Sequence, residues 1–125
     1  MAKTTAKYNF TMAILAFFFW GGWSYYINSS EQNSGLLYGV VQGTISFLMT
    51  LIMVYIVTLI FNNIQNQSLK LFLPAFIICT LMTTILTTVH YLISTPYILY
   101  TIAPSITMAF VFCIITTSKL NKSTQ

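Results

Sequence analysis

Four long apolar runs, separated by three short polar segments, make up most of the chain. The polar segments are SSEQNSG, NNIQNQS and STP. Each apolar run is long enough for the roughly 20 residues that a helix needs to cross a bilayer. Because hydrocarbon offers no hydrogen-bond partners to the backbone, each run is predicted to be a helix. The predicted spans are residues 8–28, 36–61, 70–93 and 97–118.

The short links between these spans force neighbouring helices to run antiparallel. The pattern therefore predicts an all-α fold, an integral membrane four-helix bundle built from two antiparallel hairpins. Residues 1–125 are expected to form a single transmembrane domain. Bulky residues (GGWSYYIN) rather than a small-residue cleavage site follow the first run, so we expect that run to remain as a helix and not to be removed as a signal peptide.

Composition leads to the same class, since 57% of the residues are hydrophobic and only 5% are charged. A soluble domain carries about 25% charged residues, so lipid is the expected solvent for most of this surface. All the basic residues are lysines that flank apolar runs, and they form no basic stripe of the kind that binds nucleic acid. We therefore expect the lipid bilayer as the surroundings and no nucleic-acid partner.

The lysines also predict the orientation of the bundle. Two precede the first span, one lies at the second link and two follow the fourth span: Lys3, Lys7, Lys70, Lys119 and Lys122. With four spans these positions share one side, which the positive-inside rule assigns to the cytoplasm. Both termini are therefore predicted to be cytoplasmic and Glu31 to lie outside. We expect this topology in a bacterial inner membrane.

Small and polar residues recur on one face of the second span. Gly39, Gln42, Gly43 and Ser46 follow one another at helical spacing. The Gly39-x-x-x-Gly43 pair is typical of helices whose backbones approach closely. The amide of Gln42 is costly in hydrocarbon unless it finds a partner or water. This face is therefore predicted to avoid lipid.

The third span carries a stripe of threonines. Thr83, Thr87 and Tyr91 lie on it with His90 at its edge, and we expect the stripe to mark the side of the helix that avoids lipid. Ionisable residues inside a membrane mark functional sites by default. Three interpretations of His90 remain open: a structural hydrogen bond, a polar or proton-linked site residue, and a metal or haem ligand completed by a partner.

In the fourth span Pro104 lacks an N–H, so it is expected to kink the helix and free a carbonyl near Thr101. Under the predicted orientation the polar faces of all four helices lie in the outer half. The sequence therefore predicts a polar cavity or packing seam that opens outward and is sealed inward by aliphatic and aromatic residues. The candidates for its polar contacts are Gln42, Ser46, Thr83, Thr87, His90, Tyr91 and Ser105. The candidates for helix packing are Gly21, Gly22, Gly39, Gly43 and Pro104.

Residues for catalysis are not apparent. No carboxylate lies in any predicted span, and a lone histidine cannot build a metal site, so we expect neither an enzyme nor a bound cofactor. The leading hypothesis is an accessory or interaction subunit that docks a larger membrane protein through its glycine and threonine seams. The alternative is a transport component for a small solute or lipid, working through the outward polar cavity as a homodimer joined by the glycine face.

Overall fold

The computed structural model describes residues 6–30 and 34–123, which form four long helices and contain no strand. The all-α prediction is confirmed, and each helix is long and apolar enough to cross a membrane. Lys3 and Glu31, which contribute to the predicted orientation, lie outside the described residues. The helices are α1 (Ala6–Asn28), α2 (Leu36–Asn62), α3 (Gln67–Leu92) and α4 (Ile98–Ser123).

Local signals explain where α3 begins and ends. The side chain of Asn66 accepts hydrogen bonds from the backbone N–H groups of Ser68 and Leu69, at 3.0 and 3.1 Å, and so caps the first turn. The helix therefore starts before Lys70, which hydropathy alone marked as its first residue. At the other end Ser94 has φ of 60°, a left-handed conformation that stops the helix.

The helices form two antiparallel hairpins, α1 with α2 and α3 with α4. The two hairpins meet mainly through α2, which packs against both α3 and α4, and α1 also touches α4. Among the described residues α1 and α3 do not contact each other, so α2 and α4 occupy the centre of the bundle.

Antiparallel packing places alternate helix ends together. One end, called the lysine end below, carries Lys7, Lys70, Lys119 and Lys122. The opposite end, called the tyrosine end, is where α1 and α3 finish and α2 and α4 begin, and it carries Tyr25, Tyr26, Tyr38, Tyr91, Tyr97 and Tyr100. Large exposed apolar side chains cover the outside of the bundle between these ends, for example Phe18, Leu59 and Leu99 at 69%, 64% and 72% exposure.

Glycines allow α1 and α2 to touch backbone to backbone. A Cβ at Gly21 would lie 2.9 Å from the Gly39 carbonyl oxygen, and one at Gly43 would lie 2.8 Å from that of Phe17. Any side chain at these positions would push the helices apart. Gly22 differs, because a Cβ there would meet nothing within 4 Å. The Gly39–Gly43 face is thus filled by α1 within the chain, and in this structure it presents no open surface for the partner or second copy that was expected to dock there.

Candidate functional site

A buried histidine lies at the centre of the tyrosine-end half of the bundle. His90 of α3 has no exposed surface, and its two ring nitrogens are both hydrogen-bonded. Nε2 lies 2.7 Å from Oε1 of Gln42 on α2, and Nδ1 lies 2.7 Å from the Thr95 hydroxyl in the link to α4. An amide oxygen only accepts, so Nε2 carries the proton and Nδ1 accepts from Thr95. This pairing suits a neutral imidazole.

The amide of Gln42 extends the network from α3 to α4. Its nitrogen donates to the hydroxyl of Ser46 at 3.4 Å and to that of Ser105 at 3.3 Å. The Ser105 hydroxyl in turn donates to the carbonyl of Ile102 at 2.9 Å. Gln42 has no exposed surface, and its two ends join three helices through side chains alone. We call Gln42, Ser46, His90, Thr95 and Ser105 the Gln42 network.

A second polar cluster closes the tyrosine end above the Gln42 network. The Asn28 side chain donates to Thr101 Oγ1 at 2.7 Å and accepts from the Tyr97 N–H at 3.0 Å. It therefore caps α4 although it belongs to α1. Nearby, the Ser24 hydroxyl donates to the carbonyl of Tyr38 at 3.0 Å and ties α1 to α2.

Each proline inside a helix has a hydrogen-bond donor from another helix close to it. Pro104 cannot donate to the carbonyl of Tyr100, one turn earlier, and the indole N–H of Trp23 donates to that oxygen at 2.9 Å. In the turn preceding Pro74, the Thr117 hydroxyl donates to a backbone carbonyl at 2.8 Å. The carbonyl expected to be freed near Thr101 is therefore used to hold α1 against α4.

These bonds fill the region where the sequence predicted an outward-opening polar cavity. Among the described residues no buried side-chain nitrogen or oxygen lacks a hydrogen-bond partner. The polar side chains reach one another across the bundle and form the packing seam that the sequence predicted.

The structure instead has an apolar cavity at mid-height, between α1 and α4. Its volume is about 500 Å³, and residues of α2 together with Met82 of α3 complete its lining. Every methionine in the described part of the chain contributes to it. The lining residues are Met12, Leu15, Ala16, Phe19, Trp20, Ser46, Met49, Thr50, Met53, Met82, Ser105, Met108, Ala109 and Phe112.

Two hydroxyls join the cavity to the Gln42 network. Ser46 and Ser105 line the cavity, and both bond the Gln42 amide. Ser46 is 4% exposed and Ser105 is 3% exposed, so both lie deep in the bundle. The cavity therefore has a wall of thioether, aliphatic and aromatic groups with a small polar patch formed chiefly by these two serines.

The polar candidates from the sequence separate into two groups. Gln42, Ser46, His90 and Ser105 come together as described, whereas the threonine stripe lies elsewhere. Thr83, Thr87 and Tyr91 are exposed on the outside of α3, with Tyr91 at 75%. The stripe therefore does not face the interior, contrary to expectation.

The buried face of α3 carries Pro74, Ala75, Ile78, Met82, Leu86 and His90 instead. Local hydrogen bonding allows Thr83 and Thr84 to stay on the outside of the helix. Thr83 Oγ1 donates to the Cys79 carbonyl at 2.7 Å and Thr84 Oγ1 to that of Thr80 at 2.9 Å. A hydroxyl satisfied by its own helix has no need of the interior.

Sequence reasoning missed the methionine cavity and the part played by Thr95. Methionines scattered over four helices look like ordinary core residues one at a time. One signal was available on α2, where Met49 and Met53 continue the face of Gln42 and Ser46. Thr95 carried no signal, because a link residue five positions after His90 reaches the ring only through the turn at Ser94.

The described residues contain no group of three or more His, Cys, Asp or Glu side chains that could hold a metal ion. Comparisons with protein-family models, curated proteins and solved structures found no match for this chain. The geometry of the cavity offers hydrogen bonding at the serine patch and mainly apolar contact elsewhere.

Proposed function

We propose that this chain is an integral membrane protein with its lysine end in the cytoplasm. Four apolar helices support the insertion, and the gathering of four described lysines at one end supports the orientation. The test is labelling with a membrane-impermeant maleimide in intact cells, with Cys79 and Cys113 replaced by alanine. Cysteine at Ser34 should react from outside, and cysteine at Gln65 only after permeabilisation. The reverse pattern would overturn the orientation.

Within that membrane, the function best supported by the geometry is the binding of a lipid-soluble molecule in the cavity between α1 and α4. The observation that carries this proposal is the cavity itself, apolar, at mid-height and lined by methionines. Methionine side chains are flexible and polarizable, so they adapt to apolar ligands of irregular shape. A volume of about 500 Å³ lies within the range of small-molecule sites.

This proposal retains lipid handling from the transport hypothesis and discards the transport of a hydrophilic solute. A hydrophilic solute needs a polar path, and the polar side chains of the tyrosine end are bonded to one another. A lipid-soluble molecule needs only a gap between helices facing the bilayer. The proposed role is therefore binding or handling of a membrane-dissolved compound, with no chemical step.

Photolabelling tests this binding. A fatty acid carrying a diazirine on its tail, added to vesicles containing the purified chain, should label cavity residues. Ala16 of α1 lines the cavity, so Ala16→Phe should fill it and reduce labelling at Met53 and Met82 at least fivefold. Ala103→Phe is the matched control, because Ala103 is exposed on α4 and lies outside the cavity. Equal labelling in both variants would contradict the proposal.

An accessory subunit of a larger membrane assembly is the second candidate. The exposed threonine stripe of α3 favours it, since short side chains whose hydroxyls are satisfied locally allow another helix to approach closely. Thr84→Trp would then release the chain from its native complex in mild detergent. Tyr55→Trp on the exposed side of α2 would leave that complex intact. If neither change alters the size of the native particle, the stripe is not a docking face.

A further inference from the structure

We infer that the occupant of the cavity carries an uncharged carbonyl oxygen, which accepts a hydrogen bond from Ser46. The inference rests on the proposed function and deepens it by naming a ligand class. That class is a lipid-soluble ketone or quinone, whose ring lies at the serine patch while its apolar tail leaves between α1 and α4.

The direction of the hydrogen bonds at the serine patch determines which serine hydroxyl can donate to a ligand. A serine hydroxyl has one proton to donate. Ser105 gives its proton to the Ile102 carbonyl. Ser46 accepts from the Gln42 amide, and this is the one hydrogen bond that its hydroxyl makes among the described residues. Because Ser46 lines the cavity, its free proton is available to an acceptor oxygen inside that space.

The uncharged cavity wall excludes an ionised group from the cavity itself. No lysine, glutamate, aspartate or histidine is among the cavity-lining residues in the described part of the chain. A charged group at mid-membrane is costly without a partner of opposite sign. An uncharged carbonyl suits this wall, because it has the acceptor that Ser46 needs and requires no counter-ion.

The depth of Ser46 selects among carbonyl compounds. At 1.5 Å per residue, Ser46 lies about 15 Å along α2 from its start at Leu36. The hydrocarbon core is about 30 Å thick, so this position is close to its middle. The ester carbonyls of a glycerolipid are anchored near the headgroups. A ketone or quinone without a charged headgroup can descend to this depth.

The length of the cavity along the helices favours a small molecule over a partner helix as the occupant. On α4 the lining runs from Ser105 to Phe112, about 10 Å at 1.5 Å per residue. The bond from Trp23 to the Tyr100 carbonyl joins α1 to α4 on the tyrosine-end side of this gap. A spanning helix would need a groove about 30 Å long. A carbonyl ring with the first part of its tail matches the observed length.

The test measures two matched ligands on the purified full chain in lipid nanodiscs. Decylbenzoquinone carries the carbonyls and quenches tryptophan fluorescence, and Trp20 lines the cavity. Decylbenzene has the same tail without a carbonyl, and its affinity follows from competition against the quinone. Ser46→Ala should raise the Kd of decylbenzoquinone about fivefold, the effect of one neutral hydrogen bond. The affinity of decylbenzene should stay unchanged.

Two further variants separate recognition from folding. Ser46→Thr keeps the hydroxyl and should restore most of the quinone affinity. Thr44→Ala removes a hydroxyl that is exposed on α2 and bonded to the Val40 carbonyl, so both ligands should bind as to the unchanged chain. If Ser46→Ala weakens both ligands by the same factor, carbonyl recognition is overturned while an apolar binding cavity stands.

Competition by dioleoylglycerol distinguishes a ketone or quinone carbonyl from the ester carbonyl of a neutral glycerolipid. It should compete weakly, because its ester groups stay near the interface. If it competes as well as the quinone and loses affinity equally in Ser46→Ala, the ketone or quinone assignment is overturned in favour of a neutral glycerolipid. If neither decyl ligand binds and the photoreactive fatty acid gives no Ala16-dependent labelling, the proposed function fails as well.

Discussion

The tyrosine-end half and the middle of the bundle solve the problem of helix association in different ways. Near the tyrosine end, glycines bring α1 and α2 into backbone contact, and side-chain hydrogen bonds join all four helices. In the middle, α1 and α4 separate around a cavity lined by flexible methionines. The first region is specified by directional contacts, and the second is held by apolar contact that tolerates open space.

The difference teaches where such a small protein can place a binding site. Directional bonds are worth most where the alternative is an unpaired buried polar group, so we expect the tyrosine-end half to act as a rigid frame. That frame sets the spacing of α1 and α4 at one end. The middle can then stay open without loss of the fold. Changes in the two regions should therefore have unequal effects on stability.

The largest effect is expected from Gly43→Leu. Its side chain would collide with the backbone of Phe17, which cannot move without separating α1 from α2. We expect a loss of about 3 kcal/mol or more in the free energy of unfolding, measured by denaturant titration in detergent micelles. Gly22→Leu is the control, because a side chain there meets open space. Similar losses of unfolding free energy for both variants would show that the backbone contact between α1 and α2 is not the cause.

Gln42→Leu should have the next largest effect. It would leave the proton on His90 Nε2 without its acceptor in a buried site, at a cost of about 2 kcal/mol in unfolding free energy. The same titration measures it, with Gln65→Leu in the exposed second link as the matched control. An unchanged midpoint for Gln42→Leu would show that the network adds nothing to the frame.

A double-mutant cycle tests the bond from Trp23 to the Tyr100 carbonyl. Trp23→Phe should cost about 1 kcal/mol, because that carbonyl loses its donor. Pro104→Ala supplies a helical N–H to the same oxygen. In the Pro104→Ala background, Trp23→Phe should therefore cost less than half as much. Additive effects would mean that the indole and the proline act independently.

The smallest effect is expected at the cavity. Met53→Leu changes shape at nearly constant volume, next to space that can absorb the difference, so the loss should stay below about 1 kcal/mol. Denaturant titration of this variant beside Gln42→Leu compares the two regions directly. A loss for Met53→Leu as large as that for Gln42→Leu would contradict the proposed difference in stability between the tyrosine-end half and the cavity region.

Much of the fold followed from local chemistry. The prediction of four helices came from the length of the apolar runs, because a backbone in hydrocarbon would have no alternative to the helix. The inward face of α2 was indicated by Gln42 and its glycines, since a buried side-chain amide needs partners, which here lie on α3 and α4 as well as on α2. Thr83 and Thr84 instead bond carbonyls of their own helix. The two residue types look equally polar in sequence, yet Gln42 reaches other helices and these threonines do not.

The sequence by itself determined the number of helices, their antiparallel order and the helix faces fixed by residues that must be partnered. Tertiary structure alone decided which partner each residue meets, such as Gln42 with His90, Asn28 with the start of α4, and Trp23 with the carbonyl near Pro104. The cavity also belongs to tertiary structure. A cavity forms where neighbouring helices do not touch. Its lining residues are distant in sequence, so no local sequence pattern indicates it.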